Sequence, residues 1–128
     1  MNGKILAFIV THGDLGCSLA KVAEKLMMPS HNLHCYSNQT LTSDEIVRKI
    51  NEKIENEKPA RVVVFVDLMG GSCWVIGNRV KHAHAQTTVV SGVNVPMLVS
   101  FFVNSQRLAW EELLEKITGD AKKGIVVR

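Results

Sequence analysis

The chain has 128 residues, 46% of them hydrophobic, and a formal net charge of +3. That is enough for one core and too little for two ordinary domains, so residues 1–128 read as a single domain. Lysines and arginines are mixed with acidic residues and not clustered with aromatics, which argues against a nucleic-acid surface, and no stretch reaches the roughly 20 apolar residues of a membrane span.

Lys4 to Val10 is a continuous apolar run, as expected for a strand covered on both faces. Asp14 to Met27 reads as a helix, with Leu15, Leu19, Val22, Ala23 and Leu26 at helical spacing and Pro29 beyond its end. Leu33 to Tyr36 is a short, weaker strand. A second helix opens at Thr42-Ser43-Asp44-Glu45, where Thr42 or Ser43 is a natural cap; it carries Ile46, Val47, Ile50 and Ile54 and is followed by Pro59. Arg61 to Val66 is the most strand-like run and is expected at the centre of the sheet. Trp74 to Lys81 is expected to be a helix entered from Gly70-Gly71-Ser72, with Gly77 an unfavourable residue inside it. Thr87 to Val90 is a fourth strand. Pro96 opens a helix that runs through Phe101 and Phe102, Leu108 to Ile117 gives the last helix with Gly119 after it, and Ile125 to Val127 is a small terminal strand. Alternating strands and helices joined by right-handed crossovers predict an α/β fold with an open, mainly parallel sheet and helices on both faces.

In such sheets functional groups gather outside the carboxyl ends of the strands. Thr11-His12-Gly13, Asp67 with Ser72, and Asn94 all follow strand ends. A neutral imidazole attacks an activated phosphoryl group well when its other ring nitrogen is fixed by a partner. Asp67 is suited to be that partner of His12, orienting the ring and balancing the positive charge that develops on attack. Ser72 and the amides of Gly70 and Gly71 are suited to hold phosphoryl oxygens, and the N-terminus of the following helix adds positive potential. Each element taken alone has a plainer reading: a turn at His12, a helix cap at Asp67, a loop at Gly70-Gly71-Ser72. Their combination favours chemistry. The sequence has neither the Gly-x-Ser-x-Gly elbow of a hydrolase nor a P-loop.

Cys17, Cys35 and Cys73 lack CxxC spacing and are read as reduced thiols of a cytosolic protein. Cys73 is a reactive thiol or, more simply, a small buried residue. His31, His34 and Cys35, or His82 with His84, do not have the spacing of a structural metal site, and no metal ligands are assigned.

Val10-Thr11-His12-Gly13, Val66-Asp67-Leu68-Met69-Gly70-Gly71-Ser72 and Ser91-Gly92-Val93-Asn94-Val95-Pro96-Met97-Leu98 together resemble the signatures of the mannose-type enzyme IIA component of the bacterial phosphoenolpyruvate-dependent sugar phosphotransferase system (PTS). The resemblance runs over almost the whole chain, and the Gly-Val-Asn-x-Pro-Met-Leu match is its most specific part. It implies a terminal antiparallel strand and a homodimer that can exchange that strand. It further implies that His12 is phosphorylated by the phosphocarrier protein HPr and passes the group to an enzyme IIB component, with Asp67 hydrogen-bonded to it. Gly70, Gly71 and Ser72 would form the phosphoryl-binding loop, and Thr11, Asn94, Pro96 and Met97 the wall of the site. No cofactor is required, and the only membrane contact implied is association with a permease. The family usually continues Gly-Gly-Ser with Pro-x-Asn-Ala, whereas this chain has Cys73-Trp74-Val75-Ile76-Gly77, a more apolar segment. That departure keeps open a regulatory sensor, an interaction module without transport, and a subunit of a dihydroxyacetone kinase phosphorelay.

Overall fold

Two runs of branched and aromatic side chains, β1 (Ile5–Thr11) and β3 (Arg61–Val66), lie side by side at the centre of a four-stranded sheet. The structure is a computed structural model that describes residues 2–27 and 33–128. Between and after these strands come α1 (Leu15–Leu26), β2 (Leu33–Ser37), α2 (Ser43–Glu57), α3 (Ser72–Ala83), β4 (Thr87–Val90), α4 (Val95–Asn104) and α5 (Trp110–Lys123). The strand order is β2-β1-β3-β4 and every pairing is parallel.

The continuous hydrophobicity of the central strands follows from burial on both faces. Leu6, Phe8, Val10, Val62, Val64 and Val66 point into a core closed by Ile46, Ile50 and Ile54 of α2 and Ile76 and Val80 of α3. Ala7, Ile9, Val63 and Phe65 point the other way, against Ala23 of α1, Leu98 and Phe101 of α4, and Leu113 and Ile117 of α5. Strand alternation thus divides one apolar run between two cores.

The chain leaves β1 outward to the edge strand β2, returns across to β3 and continues outward to β4. The strand order therefore reverses between β1 and β3, where the outgoing helices α1 and α3 separate to opposite faces and leave a crevice at the carboxyl ends. Val10 lies opposite Val66, so Thr11-His12 and Asp67 emerge side by side.

Several local features differ from expectation. Helix α1 buries its small residues Gly16, Ala20 and Ala23 and leaves Leu15, Val22 and Leu26 exposed, because the helix packs close to its neighbours. Cys17 and Cys35 form a disulfide and are not reduced thiols. Helix α1 lies along β2 and brings their Cα atoms to 5.2 Å, within bridging range, a proximity that sequence spacing does not reveal. Helix α3 begins at Ser72, and α5 runs through Gly119, where nothing crowds the backbone, to Lys123 with Ala121 buried. The expected terminal antiparallel strand does not form within the single chain. After α5, Gly124 and Ile125 donate to Asp120 and Lys122 carbonyls in a closing turn, and Ile125–Val127 stay exposed with no strand beside them among the described residues. Pro29 lies outside the described residues. No helix among the described residues is long and apolar enough to cross a membrane.

Gly77 is explained by packing. A Cβ there would sit 2.8 and 3.2 Å from the two γ-methyls of Val89 on β4, so glycine lets α3 press onto the sheet. Alanine is the better helix former by about 1 kcal/mol, but overpacking costs roughly 1–3 kcal/mol. Gly77→Ala is therefore expected to lower the melting temperature by several degrees, and adding Val89→Ala to recover part of the loss. Thermal unfolding followed by circular dichroism checks this, and a Gly77→Ala protein more stable than the parent contradicts it.

Candidate functional site

The site is built on two loops at the reversal of strand order. Gly13, with φ +60°, turns the first loop immediately after His12, and its N–H donates to Asn38 Oδ1 at 2.9 Å from the loop after β2. Thr11 is buried, and its Oγ1 accepts the Gly16 N–H at 2.6 Å. This satisfies an otherwise unpaired amide of the first turn of α1, where Asp14 makes no side-chain cap. His12 is thus held between a strand end and a helix start that are hydrogen-bonded to each other.

Asp67 meets His12 twice. Its Oδ2 accepts the His12 backbone N–H at 3.1 Å, and its carboxylate lies 3.0 and 3.2 Å from His12 Nδ1. With Nδ1–H donating to Asp67, the lone pair is on Nε2. That nitrogen lies 3.3 Å from Ser72 Oγ, at the first residue of α3. Burial alone would push the Asp67 carboxyl up, but hydrogen bonds from the His12 ring and backbone outweigh it and hold the group below its ordinary value. The His12 side chain is 46% exposed and that of Asp67 15%, so the reactive edge faces solvent over a largely desolvated base.

The glycines make this approach possible. Gly70 has φ +85°, and a Cβ on Gly71 would sit 3.1 Å from His12 Cε1. Gly71 also caps α3, so the helix start faces the imidazole with its free first-turn amides, a favourable setting for an anion. Cys73 is wholly buried in that turn. Burial raises its thiol pKa first, the Asp67 charge raises it further, and a Ser72 hydrogen bond acts in the opposite direction. Leu15, Leu68, Met69 and Val75, which flank these loops in sequence, are exposed and give an apolar rim suited to protein contact.

The remaining expected wall residues follow β4, where the Val93 N–H donates to the Val66 carbonyl at 3.2 Å, one residue before Asp67. Asn94 Oδ1 accepts the Met97 N–H at 3.0 Å as the cap of α4, and its Nδ2 donates to the Ala121 carbonyl at 3.1 Å. Pro96 lies under Gly124, and Met97 is buried. Asn94 and Met97 share a depression of about 160 Å³ with Lys122 and Ile125, and the Asn94 bond to Ala121 ties the start of α4 to the end of α5. Asn38 and the nearness of Cys73 were missed by sequence reasoning. Asn38 directly follows β2, and its position at a strand exit was the one available signal. His31 lies outside the described residues. His34 packs against Phe8 with the rings tilted by 39°, its pKa lowered by burial and then by Lys53; Cys35 is in the disulfide. Neither they nor His82 and His84 belong to a cluster of three ligand side chains among the described residues.

The family model for the PTS system fructose IIA component (EIIA-man) matches residues 7–118. Among curated proteins none matches the chain. Among solved structures, the chain is similar to the phosphotransferase system component EIIA of Streptococcus agalactiae, at 19% identity and TM-score 0.81 over 96% of both chains. The mannose/sorbose-specific IIA subunit of Enterococcus faecalis shares 15% identity at TM-score 0.79, over 100% of this chain and 96% of that one. A sigma-54 interaction domain protein of Enterococcus faecalis shares 14% at TM-score 0.78, over 97% and 95%. At these identities the structural likenesses establish the fold.

Because the folded Asp67 carboxyl is held below its ordinary value, its contribution to stability is complete above the unfolded carboxyl pKa of about 4 and is lost as pH falls through the lowered folded value. Asp67→Asn is expected to cost about 1–2 kcal/mol at neutral pH, and this difference is expected to shrink as the medium is acidified below about pH 5. Urea unfolding of both proteins across that range measures it. A gap that stays constant with pH contradicts the assignment.

Proposed function

The chain belongs to the EIIA-man family of the phosphotransferase system; from that premise we propose that it is a phosphoryl carrier that takes the group from phospho-HPr onto His12 and passes it to an enzyme IIB component. The observation that carries this reading is the His12–Asp67 hydrogen bond, which leaves Nε2 as the free nucleophile at the start of α3.

The transfer balances on these residues. The Nε2 lone pair attacks phosphorus, a new N–P bond forms, and the N–P bond of the donor breaks with its electron pair returning to the donor ring. Positive charge leaves the donor phosphoimidazolium and appears on the His12 ring, where Nδ1–H faces the Asp67 carboxylate. Ser72 Oγ and the free amides of the first turn of α3 then meet phosphoryl oxygens. The reverse sequence delivers the group to IIB. The donor is already activated, so the carrier step draws on no cofactor.

The apolar rim of Leu68, Met69 and Val75 supports docking of protein partners around His12. The exposed Val22, Leu26 and Ile125–Val127 support a homodimer in which the tail pairs with a second copy. Placement in the cytoplasm, as one domain working with a membrane permease, follows from the same reading. A regulatory use, in which the phosphorylation state of His12 is read by another protein, is favoured by the likeness to the sigma-54 interaction domain protein.

Incubation with enzyme I, HPr and phosphoenolpyruvate is expected to give an acid-labile phosphoprotein, and His12→Ala to abolish the label. Label persisting in that variant overturns the assignment. Chasing the phosphoprotein with purified IIB separates the uses: loss of label supports the carrier role, and retention supports regulation.

A further inference from the structure

One chemically capable group at the crevice has no part in phosphoryl transfer. Cys73 is wholly buried in the first turn of α3, yet its Sγ, a ring nitrogen of His12 and a carboxylate oxygen of Asp67 all lie within 4.8 Å of one another. We propose that His12, Asp67 and Cys73 bind a borderline-soft divalent cation, zinc in particular, and that the bound ion closes His12 to phosphoryl transfer. Only the second half of this proposal rests on the carrier reading.

The donor set fits that metal. Nitrogen, oxygen and sulfur on one centre match zinc, whereas magnesium and calcium favour oxygen alone. Zinc bonds of about 2.0–2.3 Å in tetrahedral geometry place neighbouring donors roughly 3.3–3.8 Å apart. The His12–Asp67 separations of 3.0 and 3.2 Å and the 4.8 Å limit for the whole set bracket that spacing, so small side-chain rotations suffice. On binding, the Cys73 thiol releases its proton to water, and thiolate and carboxylate together offset the two positive charges. Cys73 is wholly buried and Asp67 mostly so, while His12 is half exposed, so an ion would reach the set from the His12 side, and three protein ligands leave a fourth position for water. The His12 backbone N–H on Asp67 Oδ2 fixes one ligand from outside the donor set.

The ion defeats phosphoryl transfer through either ring nitrogen. On Nε2 it occupies the nucleophilic lone pair; on Nδ1 it displaces the proton shared with Asp67 and takes up the charge that would balance the phosphoimidazolium. Cys73 stands where the family usually has proline, so the device is specific to chains with this substitution.

Cobalt titration of the metal-free, disulfide-intact protein tests the site. One equivalent is expected to bind with tetrahedral ligand-field bands and a sulfur-to-cobalt charge-transfer band, which zinc then removes. Cys73→Ser is expected to abolish the charge-transfer band and weaken binding by at least about tenfold, the scale of losing even an outer partner of a ligand. His12→Ala, at an exposed position that leaves the core intact, is expected to weaken binding similarly, while Cys17→Ser/Cys35→Ser keeps the band. Absence of a one-to-one site, or a band that survives Cys73→Ser, overturns the metal site. Transfer from purified phospho-HPr is then followed with and without saturating zinc. Transfer that proceeds without metal and stops with it supports the proposal; transfer indifferent to zinc overturns the closing role. Failure of transfer in the metal-free protein contradicts the carrier reading and leaves the metal site standing.

Discussion

The parallel pairing of β1 with β3, with Val10 opposite Val66, is the constraint on which the site depends. It releases two loops from adjacent strands at the point where the outgoing helices turn to opposite faces of the sheet. Because both strands are buried on both sides, neither exit can shift without disturbing a core. A one-residue slip would separate Asp67 from His12 and also exchange the residues that face the two cores.

Within that frame, the Asp67 carboxylate lies on the Nδ1 side of the imidazole, and Ser72 and the start of α3 lie on its Nε2 side. In the proposed transfer, a phosphoryl group on Nε2 would leave the ring with a positive charge between that group and Asp67, where it interacts favourably with both. Glycine at position 71 sets how closely α3 can approach, since any Cβ would meet His12 Cε1. The Cys73-to-Gly77 segment, which departs from the usual family pattern, leaves this arrangement intact. Helix α3 starts at Ser72 without a proline, and Gly77 seats it on Val89. The change is felt on the surface, through exposed Val75 and partly buried Trp74, and at the base, through the Cys73 thiol.

What the sequence could express was what lies along the chain. The valine-rich run Arg61–Val66 and the apolar run into Thr11 announce strands covered on both faces, and a histidine and an aspartate at their exits announce a shared edge. Contacts made across space were not legible. Cys17 and Cys35 are joined because α1 lies on β2, and Asn38 reaches Gly13 from a third loop. The side chain of Asn94, expected at the wall of the site, also caps α4 and holds the end of α5. The apolar positions of α1 suggested a buried stripe, but that helix packs through Gly16, Ala20 and Ala23 with Leu19 against the core, and it leaves Leu15, Val22 and Leu26 exposed. Ile125–Val127 have strand character, yet they pair with no strand among the described residues.

The central claim is that Asp67 holds the proton on His12 Nδ1 and so makes Nε2 the acceptor. Nitrogen-15 NMR of the labelled histidine, before and after phosphorylation by phospho-HPr, reports both points in one sample. The account predicts the Nδ1–H tautomer in the free protein and a phosphoryl group on Nε2 with Nδ1 still protonated. Phosphorylation on Nδ1, or a free protein with its proton on Nε2, would contradict it.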